Sequence, residues 1–85
     1  MSQVVMYSTA SCPYCVRARQ LLEKKGVDYT DIRIDQQPTL RPEMERLSGR
    51  SSVPQIFIGE FHVGGFDDLA ELDVDGELDE RLGLS

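Results

Sequence analysis

VVMYSTASCPYC, residues 4–15, runs from a short apolar segment into the only two cysteines of the chain. Val4, Val5, Met6 and Tyr7 favour a strand, and the run stops at Ser8-Thr9-Ala10-Ser11. From Pro13 the pattern turns helical. Cys15, Ala18 and Leu22 fall at i, i+3 and i+7 with Leu21 alongside, while Arg17, Arg19 and Glu23 take other faces. Lys24, Lys25 and then Gly26 close that helix. Tyr29 to Ile34 alternates as a second strand. Strand, helix and strand within about 30 residues form a βαβ unit, whose crossover makes the two strands parallel.

A second helix is expected from Thr39 to Ser48, with Leu40, Met44 and Leu47 as its apolar stripe and Gly49 as its end. Pro42 is tolerable there because it falls in the first turn, where its missing N–H costs nothing. PQIFIGEFHVGG, residues 54–65, reads as a hairpin with Ile56 and Ile58 on one arm and Phe61 and Val63 on the other. Gly59 suits the first position of a two-residue type II′ turn. Asp67 to Asp73 reads as a third helix with acids in its first turn, and Glu77 to Leu82 as a short final one. No linker, repeat or low-complexity segment interrupts the order, so residues 1–85 are expected to form a single domain of class α/β.

Composition narrows the function. Eighty-five residues, 40% of them hydrophobic and 28% charged, support one modest core of an ordinary globular kind. Residues 1–59 carry eight basic and six acidic groups; residues 60–85 carry one and nine. A net charge of −6 without a basic stripe argues against nucleic acid as a partner. No stretch approaches the roughly 20 apolar residues that span a bilayer, so no membrane partner is expected. The opening MSQVVMYSTA lacks the pattern of a signal peptide, and a cytoplasmic address is expected.

A close cysteine pair in such a chain more often marks a redox or metal site than a structural staple, because a Cys12–Cys15 bridge closes too small a loop to restrain unfolded chain. C-x-x-C beside a βαβ pattern is the signature of a thioredoxin-like redox site. Cys12 stands at the helix start, where unpaired N–H groups and the positive end of the dipole favour a thiolate. Pro13 fits the first helical position, and the N–H groups of Tyr14 and Cys15 are free to point back at the Cys12 sulfur. Cys12 is therefore the candidate nucleophile. Cys15, one turn on, is expected to keep a more normal thiol and to attack a mixed disulfide formed on Cys12. Metal is the competitor, but the chain offers no second cysteine pair and one histidine, His62, which reads as a surface-facing strand residue; no metal ligands are assigned. Glu71 to Gly76 imitates half a calcium loop, yet its twelfth position is Leu82 where an acid is required.

CPYC, SSVPQIFI at 51–58 and HVGGFDDL at 62–69, in this order and spacing, resemble the dithiol glutaredoxins, above all the compact bacterial ones. The likeness covers Val4 to about Leu72. It implies a thioredoxin-like fold: a four-stranded mixed sheet of order 2-1-3-4, third strand antiparallel, flanked by helices. It implies glutathione-dependent reduction of protein disulfides and of glutathione mixed disulfides, with glutathione as co-substrate and no permanently bound cofactor. Pro54 would be cis, with the Val53 backbone pairing with bound glutathione; without the resemblance, the favoured reading of Pro54 is a proline that merely opens a strand. Gly65, Phe66 and Asp67 would take the γ-glutamyl end, where the bare reading is a Gly-Gly turn before capping acids. Arg41 would lie near the glycyl carboxylate, or else be a solvated surface charge, and Tyr14 would cover the groove beside the cysteines.

Two departures from that family stand out: Thr9 replaces a frequent lysine, and Phe66 stands where several relatives have a further cysteine. The implied partners are glutathione and disulfide-containing or glutathionylated proteins, with ribonucleotide reductase among the compatible ones, and the implied state is a monomer. Two alternatives remain at this point. One is a redoxin reduced by thioredoxin reductase, against which Asp67 and Arg41 argue. The other is a dimer carrying a [2Fe–2S] cluster on Cys12 and glutathione, which Pro13 disfavours within the family.

Overall fold

The computed structural model describes residues 3–84, so the expected domain of residues 1–85 extends past both ends of that range. The central strand is β1 (Val4–Ser8); α1 (Pro13–Lys24) follows it, then β2 (Thr30–Arg33). A 3₁₀ turn over Pro38–Leu40 leads directly into α2 (Arg41–Ser48). The hairpin is β3 (Gln55–Ile58) and β4 (Phe61–Gly64), and α3 (Phe66–Val74) and α4 (Glu77–Leu82) complete the order. The sheet runs β2-β1-β3-β4, with β1 parallel to β2 and antiparallel to β3. This is the topology that the resemblance implied.

Alternation along β1 sends its side chains to two unequal cores. Val4 and Met6 pack with Ala18 and Leu22 of α1, with Ile56, Ile58 and Val63 of the hairpin, and with Leu69, Leu78 and Leu82 of α3 and α4. On the opposite face Tyr7, Ile34 and Met44 form a smaller cluster, flanked by Val5, Leu40, Val53 and Phe57. Lys25 binds Asp73 at 2.6 Å and Asp79 at 2.7 Å, tying the end of α1 to α3 and α4.

The hairpin turns as its sequence predicts. Gly59 has φ +61° while Glu60 has a negative φ, an arrangement that fits type II′ and excludes I′. One reading of α2 is corrected. Met44 is fully buried, but Leu47, meant to continue its stripe, is 46% exposed. The helix is only eight residues long, and its second turn runs past the small cluster instead of over it. The helix also begins later than expected, since Pro38–Leu40 takes the tighter 3₁₀ form before Arg41. His62 likewise departs from a plain surface residue. It is half-buried, stacks on Phe57 at 4.8 Å between ring centroids, and meets Gln55 Oε1 at 2.7 Å through Nε2.

Candidate active site

The cysteines lie where β1 hands over to α1. Cys12 caps the helix from an extended backbone (φ −88°, ψ 113°), and Pro13 opens the first turn. The Cys15 N–H donates to Cys12 Sγ at 3.3 Å. Of the two amides expected to reach that sulfur, Cys15 does so, and Tyr14 makes no such bond among the described residues. Cys12 is partly exposed and its thiol donates to the Val53 carbonyl at 3.6 Å. Cys15 has no exposed surface. Both sulfurs are free thiols.

Burial also corrects the expectation of an ordinary Cys15 thiol. Desolvation pushes it up from 9.0 to about 12, assisted by the hydrogen bond and charge of Cys12 and opposed by the Thr9 backbone and Arg19. Periodicity alone could place Cys15 on the inner stripe of α1.

Beside Cys12 runs a groove of about 300 Å³ lined by Tyr14, Val53, Pro54, Gly65, Phe66 and Asp67. Six of the residues singled out in the sequence therefore meet on one wall or the other, although they come from three separate segments. The Val53–Pro54 peptide bond is cis. Gly65 sits so near Pro54 that a Cβ there would touch the Pro54 carbonyl at 3.6 Å. Gly64 has φ +114°, and a Cβ on it would run into the Asp68 carboxylate. Gly64 is therefore the glycine that this turn requires, since it admits the positive φ and leaves room for the Asp68 carboxylate, whereas the contact at Gly65 is an ordinary van der Waals one.

Tyr14 is 52% exposed and stacks on Phe66, with ring centroids 6.5 Å apart. The guanidinium of Arg17 covers the tyrosine ring at 5.6 Å. The first turn of α3 offers unpaired N–H groups at Phe66 and Asp67, and Asp67 is exposed at the groove.

Arg41 is not brought into this lining. Its Nη1 donates to the Ser51 carbonyl at 2.8 Å and lies 3.7 Å from Glu45, one turn along α2. The groove instead takes Arg50, Ser52 and Asp68, none of which the sequence reading selected. Arg50 Nη1 meets Asp68 Oδ2 at 3.2 Å, and the same carboxylate accepts the Gly65 N–H at 3.0 Å. The signals were faint: an arginine three residues before the V-P pair, and the second acid of an Asp-Asp pair already explained as helix capping.

The geometry is that of a nucleophilic sulfur at a helix terminus, a second sulfur one turn behind it, and a polar groove able to receive a small peptide. Comparison with known proteins gives the same family throughout. A sequence model of the glutaredoxins matches residues 4–63. A glutaredoxin of Pseudomonas aeruginosa is 56% identical over 82 residues, which cover 96% of this chain and 98% of that protein. The solution structure of glutaredoxin from Brucella melitensis superposes with a TM-score of 0.85 at 48% identity, covering 99% of this chain and 91% of that one. The crystal structure of a buckwheat glutaredoxin–glutathione complex gives a TM-score of 0.89 at 32% identity, covering 96% and 77%. With sheet order, dithiol and cis-proline loop all in agreement, the chain belongs to the glutaredoxin family, and its activity is glutathione-dependent thiol–disulfide exchange.

Proposed function

We propose that Cys12 is the attacking sulfur and Cys15 the resolving one, with glutathione seated in the groove of Tyr14, Val53, Pro54, Gly65, Phe66 and Asp67. The observation that carries this reading is the pairing of a capped, partly exposed Cys12 with a buried Cys15 whose N–H donates to it at 3.3 Å. On a glutathione mixed disulfide, the Cys12 thiolate attacks the glutathione sulfur and the substrate leaves as its thiolate, which takes up a proton. A second glutathione thiolate then attacks the sulfur of the first, forming glutathione disulfide and freeing the Cys12 thiolate. On a protein disulfide, Cys12 forms the mixed disulfide, Cys15 displaces the substrate thiol, and two glutathiones reduce the Cys12–Cys15 bond.

The groove chemistry suits the tripeptide. Free N–H groups of Phe66 and Asp67 receive an α-carboxylate at the helix terminus, and the Asp67 carboxylate receives the α-amino group. The exposed backbone of Val53 faces the cysteinyl unit, and Tyr14 covers it. Arg50 supplies a guanidinium in the groove for a carboxylate of the tripeptide, with Arg41 outside the lining. In this reading the chain acts as a single-domain monomer in the cytoplasm and holds no permanent cofactor. Its partners are disulfide-bearing or glutathionylated proteins, ribonucleotide reductase among them.

The test is NADPH-coupled reduction with glutathione and glutathione reductase. Cys12→Ser loses turnover of both substrate classes; Cys15→Ser keeps mixed-disulfide turnover and loses protein-disulfide turnover. Inactivity of the wild type with glutathione, together with activity restored by thioredoxin reductase, refutes the groove assignment.

A further inference from the structure

Gln55 opens β3 with a side chain that has no exposed surface, between Pro54 and the apolar Ile56. A buried amide costs free energy unless its polar atoms are bonded, and a methionine would fill the same space without that demand. Its Nε2 donates to the Ser52 carbonyl at 3.0 Å and lies 3.3 Å from Ser52 Oγ, while Oε1 meets His62 Nε2 at 2.7 Å. A carbonyl can only accept, so the nitrogen of the amide faces Ser52 and its oxygen faces His62. That oxygen also can only accept, which puts the proton of the His62 ring on Nε2. Phe57, stacked on the imidazole, holds the orientation of the ring.

Ser52 and Val53 line the groove beside Cys12. The Ser52 carbonyl and the Val53 N–H belong to one peptide unit, and among the described residues the only cis bond is the next one, Val53–Pro54. The Ser52–Val53 unit is therefore trans and planar, with its carbonyl and its N–H pointing in opposite directions. With the carbonyl held by Gln55, the Val53 N–H is turned away from that amide, and no group of the chain accepts it among the described residues. The Val53 carbonyl, in the following unit, takes the Cys12 thiol at 3.6 Å. Residue 53 thus carries an unpaired donor beside an acceptor that already reaches the nucleophilic sulfur.

We propose that Gln55, oriented by His62, is a positioning residue for glutathione recognition: it fixes the plane of the Ser52–Val53 peptide, so that the Val53 N–H is aimed in advance at the cysteinyl carbonyl of the incoming tripeptide. The proposal rests on the reading of the groove as the seat of glutathione. An unanchored peptide unit rotates about the bonds on either side of it and has to be ordered as the ligand arrives. The buried amide removes that cost beforehand. Neither Gln55 nor His62 touches the substrate, and no bond is made or broken at either.

The experiment mixes reduced protein, without free glutathione, with a peptide whose cysteine carries a glutathione mixed disulfide. A second series uses the same peptide carrying 2-mercaptoethanol, which has no peptide backbone to pair. Second-order rate constants for loss of each mixed disulfide are read by quenched mass spectrometry in wild type, Gln55→Met and His62→Phe. Gln55→Met lowers the constant for the glutathione peptide about fivefold, the factor for one neutral hydrogen bond, and leaves that for the mercaptoethanol peptide unchanged. His62→Phe keeps a ring on Phe57 but loses the donor, and shows a smaller loss of the same selective kind, about twofold. Equal losses on the two peptides in Gln55→Met overturn the proposal, because the loop or the dithiol as a whole is then disturbed; no loss on either overturns it too. Should Gln55→Met not fold, His62→Phe decides: a selective loss supports the positioning role, and an unchanged or uniform rate overturns it. A wild type that does not favour the glutathione peptide removes the groove reading and this proposal with it; a wild-type preference that both variants keep in full removes the proposal alone.

Discussion

Iodoacetamide offered to the folded, reduced protein at pH 8 will label Cys12 and leave Cys15 at least about a hundredfold slower. The magnitude follows from the thiolate fraction, since the thiolate is the species that reacts. At pH 8 the rise of the Cys15 thiol from 9.0 to about 12 lowers its own thiolate fraction about a thousandfold, to about 0.01%. Labelling Cys12 first removes its charge and its hydrogen bond, two of the causes that raise Cys15, and returns part of that factor. Burial is the largest cause and stays, and the sulfur has no exposed surface for the reagent to reach. Intact-mass spectrometry over time should show a single adduct that peptide mapping assigns to Cys12, with both sites reacting alike in concentrated urea. A second native adduct forming within tenfold of the first, or a first adduct on Cys15, would refute the assignment of an outer attacking and an inner resolving sulfur.

Met44→Ala should cost about 3 kcal/mol in a urea titration, because the single fully buried side chain of α2 is removed and the cavity collapses only in part. Asp68 is held below the usual carboxylate range by the Gly65 N–H and then by Arg50, so its stabilisation is present above the unfolded value near 4 and lost as pH falls through the lower folded value. Asp68→Asn should therefore cost about 0.5–1 kcal/mol at pH 7, a modest figure because the pair is exposed and screened, and the gap to wild type should close below about pH 4. Arg50→Gln should raise KM for a glutathione mixed disulfide more than Arg41→Gln does; equal effects would count against the groove as drawn. Thr9→Lys should lower that KM about threefold by adding a cation near the bound carboxylates, and an unchanged KM would count against it.

Much of the architecture could be read along the chain because local signals agreed with one another. The apolar run at Val4–Tyr7, the Cys15-Ala18-Leu22 stripe, the glycine turn at 59 and the acids opening α3 each report on short-range structure. The sheet order and the cis bond at Pro54 came from resemblance, since strand neighbours depend on contacts distant in sequence. The misreadings share a tertiary cause. Leu47 has the right helical spacing, but no partner covers it. Cys15 shows its place on the inner face of α1 in the helical spacing, but not that its sulfur would be left with no exposed surface. Arg50 and Asp68, eighteen residues apart, become groove residues only when the loop after α2 meets the start of α3. The His62–Gln55–Ser52 chain joins two strands and a loop and leaves no pattern in any one of them.

The two unequal faces of the sheet imply that heating will separate selectivity from chemistry. The larger core mounts α1 and therefore both sulfurs, while the smaller holds α2 and the approach to Val53. Local opening starts where few apolar contacts resist it, so the Val53 side of the groove should loosen while the dithiol and the Phe66 end, both mounted on the larger core, remain in place. Just below its melting point the protein would still exchange disulfides and hold the γ-glutamyl end, but with a slackened grip on the cysteinyl unit.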